Sequence, residues 1–124
     1  MLIEIERNII FHFKENIMSD SYIDNNYENK YLQMLKEIII QKFYNDNCTI
    51  FLFGSRARNK FRRDSDYDIG IQNIDKNIFL IKKWEIELAV EESIIPHKID
   101  FINFDETDDN FRKYAFKDVI VWKK

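Results

Sequence analysis

The period at which apolar and polar residues alternate changes several times along this chain, and each change marks an element. From residue 2 to 17, Leu2, Ile5, Ile9 and Phe13 recur at helical spacing among Glu4, Arg7, Lys14 and Glu15, the pattern of an amphipathic helix. Residues 18–29 are rich in Ser, Asp and Asn and read as a loop. A second helix is expected over 28–45, where Tyr31, Leu35, Ile38, Ile39 and Lys42 trace one side and Phe43 extends the apolar face. Residues 48–53 are continuously apolar, as in a strand covered on both faces, and 67–71 form a second short apolar run. Over 77–93 the spacing predicts a helix with Ile81, Trp84, Leu88 and Glu91 one turn apart, Trp84 in the core, and Lys82, Lys83, Glu85, Glu87 and Glu92 toward solvent. Pro96 stops that helix. A third strand over 97–104, a short helix over 106–116 and an apolar run over 119–122 follow.

These elements predict a mixed α/β chain, with residues 1–26 as a helical extension ahead of one domain over 27–124. A length of 124 residues suits one core, and 45% hydrophobic with 33% charged residues suits a packed interior under a soluble surface. The formal net charge of −3 argues against general nucleic-acid binding, although Arg56, Arg58, Lys60, Arg62 and Arg63 concentrate cations locally. Cys48 is the only cysteine, which excludes an internal disulfide and suits a reducing, cytoplasmic setting. The run from Ile9 to Phe13 is broken by His12 and is too short to span a membrane. Neither His12 nor His97 has a second histidine at metal-binding spacing, so both read as core-edge or surface residues.

The stretch FLFGSRARNKFRRDSDYDIGI, residues 51–71, concentrates the candidate chemistry. Gly54 is one of two glycines and stands where an apolar run stops, so it suits a turn that needs positive φ or the close approach of a phosphate. Ser55 reads as a helix N-cap, and the amides after it would attract an anion. Arg56 and Arg58 would oppose the dipole of that helix by about 0.3–1 kcal/mol each, a penalty that a bound polyphosphate reverses. If 67–71 is a strand, Asp66 and Asp68 share one face and Tyr67 turns away from them. Their mutual repulsion would be relieved by a divalent ion. Asp100, embedded in Ile99-Asp100-Phe101-Ile102, is costly to bury alone and so reaches solvent or meets a cation. Asp105 competes with it, but falls where a strand yields to a helix and suits a cap.

Gly54-Ser55, ten residues, then Asp66-x-Asp68 resembles the GS-x10-DxD signature of the DNA polymerase β-like nucleotidyltransferases. GSRARN with SDYDIGI looks most like the minimal nucleotidyltransferases, among them the MntA-type antitoxins paired with HEPN-domain toxins. The likeness covers roughly residues 30–123. It implies a polymerase β palm-like fold, a small mixed sheet flanked by helices, and an Mg²⁺-dependent enzyme with two ions and ATP as substrate. It also implies Asp66, Asp68 and Asp100 as metal ligands and catalytic carboxylates, with Gly54, Ser55 and Arg56 toward the nucleotide. Within that scheme Asp100 would serve the ion nearest the acceptor, Ser55 the β and γ phosphates, and Arg56 the leaving pyrophosphate. The implied reaction moves AMP to a tyrosine hydroxyl of a HEPN ribonuclease and silences it, with no membrane and no direct nucleic-acid contact. Two rivals stand beside it: an antitoxin that neutralises by binding alone, and a small-molecule transferase of the antibiotic-modifying kind.

Overall fold

The computed structural model describes residues 20–58, 61 and 65–124, with side chains from residue 29 onward. The expected helix over 2–17 and the side chains of Lys60, Arg62 and Arg63 lie outside them. The elements are α1 (Asp20–Lys42), β1 (Thr49–Phe53), α2 (Gly54–Ala57), β2 (Tyr67–Gln72), α3 (Lys76–Glu91), β3 (Ile99–Asn103), a 3-10 turn (Phe104–Glu106), α4 (Asp109–Ala115) and β4 (Ile120–Lys123). The chain falls into two compact units, residues 1–37 and residues 38–124. In the first, Tyr31, Met34 and Leu35 are buried on α1, and Gln33 donates to Glu37 one turn on at 3.3 Å.

The sheet and its packing belong to the second unit. Its strand order is β3-β2-β1-β4, with β1 antiparallel to both neighbours and β2 parallel to β3 through the crossover helix α3. Register sorts the strand residues onto two faces, because side chains directly opposite each other point the same way. One face carries Leu52 opposite Ile69, Ile50 opposite Ile71, and Ile69 beside Phe101. Phe101 stacks on Phe43, just past α1, at 6.0 Å and on Phe79 of α3 at 5.3 Å. The other face carries Phe51 opposite Gly70 and Phe53 opposite Asp68, with Ile102 beside Gly70. There Phe51, Phe53, Phe104 and Ala115 form a core cluster with Ile102, Phe111 and Val119 against it. Gly70 makes this packing possible, since a Cβ there would lie 2.6 Å from Phe51 Cζ and 2.7 Å from Phe104 Cε1.

Two expectations need correction. Residues 20–27 are helical, not a loop, so α1 starts eight residues earlier than its polar composition suggests. Neither Gly nor Pro interrupts 20–42, and Ile23, Tyr27, Tyr31, Leu35 and Ile39 recur every fourth residue. Asp, Asn and Ser cost a helix only up to about 0.7 kcal/mol each, too little to break that repeat. On α3 the buried side chains are Phe79, Ile86 and Val90, whereas Trp84 is 66% exposed and Ile81 60%. This helix is apolar on several sides, so the repeat at 81, 84 and 88 did not identify the face that meets the sheet. Asp75 caps it, accepting from the Asn77 and Ile78 amides.

Candidate active site

The site grows from the end of β1. Phe53 is still extended (φ −134°, ψ −172°) when Gly54, at φ +75°, turns the chain directly into the single turn of α2. That positive φ is glycine's own region. A Cβ at Gly54 would collide with Asp68 Oδ2 and lie 3.0 Å from its Cγ, so the turn and the carboxylate are in contact. Ser55 is therefore not the N-cap: Phe53 occupies that position with no side-chain cap, and the Arg58 amide bonds back to Gly54 O at 3.2 Å. The helix that follows the turn is this single turn, ending at Ala57.

Asp68 lies on β2 directly beside Asp100 of parallel β3, and Asp66 stands one residue ahead of the strand. Tyr67 and Ile69, of opposite parity, are fully buried, which leaves the acidic positions toward the rim of the other face. Burial first, then the like charges of Asp100 and Asp66, push the Asp68 carboxyl up to about 6, against the opposing pull of Arg58 and Arg56. Asp68 thus has both other acids as electrostatic neighbours. Among the described residues, however, no three acidic, histidine or cysteine side chains gather tightly enough to form a finished metal centre.

Asp105 has other work. Its two carboxylate oxygens accept from the Asn73 amide at 3.0 Å and the Ile74 amide at 3.1 Å, clamping the turn after β2 where Asn73 takes φ +62°. Asn103 caps the 3-10 turn by accepting from the Asp105 amide.

Arg56 differs most from its expected setting. Only 6% exposed, it donates from Nε and Nη2 to Ser65 O at 3.1 and 2.8 Å, with the Phe61 ring 4.5 Å and the Tyr67 ring 4.4 Å from its guanidinium carbon. No periodicity in the sequence announces a buried arginine, and this cluster was missed for that reason. His97 meets the Tyr67 ring edge-on at 5.2 Å, a packing role that matches its expected core-edge place. A separate cavity of about 450 Å³ opens between Glu87, Val90 and Glu91 of α3 and the residues leading into β3.

Comparison with known proteins identifies the family. The family described as "Polymerase beta, Nucleotidyltransferase" matches residues 33–124. The chain is 30% identical over 83 residues to a Haemophilus influenzae protein named "Probable protein adenylyltransferase MntA", covering 67% of this chain and 71% of that one. A crystal structure of a toxin-antitoxin with AMP-PNP shares the fold, with a TM-score of 0.52 at 19% identity over 70% of this chain and 71% of that chain. With a glycine turn touching one of two paired strand carboxylates, and a matching family over most of its length, the chain belongs to the polymerase β nucleotidyltransferase family.

Proposed function

We propose that this chain is an antitoxin enzyme that transfers AMP from ATP to a tyrosine hydroxyl of a cognate HEPN ribonuclease toxin and so neutralises it. The observation that carries the reading is the register pair Asp68 and Asp100 set against the Gly54 turn. The adenylyltransferase name of the Haemophilus influenzae relative and the nucleotide analogue in the toxin-antitoxin structure support it.

The residues fit a hard divalent cation. Asp68 of β2 and Asp100 of β3 are register partners with Asp66 just ahead of β2, and the like charges of Asp100 and Asp66 add to burial in raising the Asp68 carboxyl. Asp66, Asp68 and Asp100 would hold Mg²⁺, most simply two ions, which when bound neutralise phosphate charge and make the acceptor hydroxyl easier to ionise. The protein's own part is to orient. In this reading the Gly54-Ser55 turn would take the outer phosphates, and Asp100, exposed on edge strand β3, would serve the acceptor and take up its proton. The hydroxyl oxygen bonds to the α-phosphorus, the bond from that phosphorus to the bridging oxygen breaks, and pyrophosphate leaves. No described helix is long and apolar enough to cross a membrane, and the setting proposed is the cytoplasm without direct nucleic-acid contact.

Incubation with ATP, Mg²⁺ and the product of the neighbouring gene tests the proposal: mass spectrometry should show AMP-sized additions on a tyrosine of that protein. An unmodified partner, neutralised equally well by Asp66→Asn and Asp68→Asn chains, would replace the catalytic reading with neutralisation by binding alone.

A further inference from the structure

We propose that Arg56 is a positioning residue that aims Asp66 by holding the carbonyl of Ser65, without itself touching the nucleotide. This rests on the nucleotidyltransferase reading above. Asp68 and Asp100 are fixed by the β2–β3 ladder, but Asp66 is exposed and precedes the strand, whose Tyr67 amide bonds to Lys98 O at 2.9 Å. Something other than the sheet must therefore set its direction.

Arg56 is in place to do so. Two of its N–H groups converge on Ser65 O. That oxygen and the Asp66 nitrogen belong to one planar peptide, so fixing the oxygen fixes the plane from which Asp66 departs. The same guanidinium lies over the ring of Tyr67, the residue after Asp66, and over Phe61 on the approach. One side chain rooted in the Gly54 turn thus grips the chain on both sides of Asp66 and ties the phosphate-side turn to the acidic strand. Lysine would keep the charge and the ring contacts but cannot place two fixed donors on one oxygen.

The test compares wild type, Arg56→Lys and Phe61→Leu, each checked by circular dichroism for an unchanged fold. Mn²⁺ affinity is read by electron paramagnetic resonance without nucleotide, and adenylyl transfer is read as separate kcat and KM. For Arg56→Lys, Mn²⁺ binding should weaken about tenfold. Its kcat should fall about tenfold or more, since small misplacements of reacting groups are costly, while KM for ATP stays within about twofold. Phe61→Leu, which leaves the fork intact but removes one ring, should shift the same readouts in the same direction by less. A raised KM with unchanged kcat would place Arg56 on the nucleotide and overturn the inference, as would unchanged Mn²⁺ affinity in both variants. A wild-type chain that binds Mn²⁺ yet transfers no AMP would defeat the transferase reading while the ion affinities still decide the role of Arg56.

Discussion

The two faces of the four-stranded sheet do different jobs. On the face that meets Phe43 and Phe79, packing runs the full length of the strands: Ile50, Leu52, Tyr67, Ile69 and Ile71 are all buried. On the other face the aromatic cluster of Phe51, Phe53 and Phe104 fills one end and stops at Phe53, whose partner across the ladder is Asp68. A shift of one row changes a core into an acidic rim. The difference places the candidate site at the unfinished end of a packing layer, backed by the finished layer behind it.

That contrast can be broken from either side. The largest loss of stability should come from the finished face: Ile69→Ala should cost about 2–5 kcal/mol in urea unfolding, with a cavity left between strands and helices. Asp68→Asn, on the rim, should do the opposite to stability while reducing adenylyl transfer by more than about a hundredfold, equivalent to about 2.7 kcal/mol. The sign follows from a folded-state pKa raised from 3.8 to about 6: the contribution is fully present below the lower value and lost as pH rises through the upper. The ion-free Asn variant should therefore melt higher than wild type at pH 8, with the gain fading toward pH 4. Equal melting temperatures at pH 8 would mean that the charge is not confined as described.

Gly70→Ala tests where the second layer is tight. Overpacking against Phe51 and Phe104 should cost about 1–3 kcal/mol by denaturant titration. Asp105→Ala removes two bonds to the Asn73-Ile74 turn and should cost about 1–2 kcal/mol with transfer retained, whereas Asp100→Ala should abolish transfer. If the two variants exchanged phenotypes, the assignment of the third carboxylate would be reversed. Trp84→Ser, on exposed α3 surface, should change unfolding by less than about 0.5 kcal/mol.

How much of this could be read from residues alone varied with how local the cause was. The β1 run, the turn at Gly54 and the acids at 66 and 68 were legible because each is a local constraint: a covered strand, a bend only glycine takes easily, a repulsion between near neighbours. Asp100 was expected to reach solvent or meet a cation, and it stands exposed on edge strand β3. The orientation of α3 was not legible, because a helix with apolar residues on most sides leaves the choice of buried face to the sheet it meets. The burial of Arg56 was not legible for a similar reason: its partners, Phe61, Ser65 and Tyr67, lie five to eleven residues away along a path no repeat encodes. The start of α1 was hidden because its Ser, Asp and Asn residues favour loops, while the apolar residues at every fourth position that hold the helix are sparse there.

Because Asp68 and Asp100 are rungs of one parallel ladder, their backbone separation is set by the spacing of neighbouring strands, about 4.8 Å. Hydrogen bonding serves as a ruler between them. Lengthening α3 or the segment after it leaves the gauge untouched, whereas adding or deleting a single residue inside β3 would present Ile99 or Phe101 where the acid should be. Lineages of this protein can therefore be expected to vary freely in the crossover and to tolerate almost no length change within five residues of one edge strand.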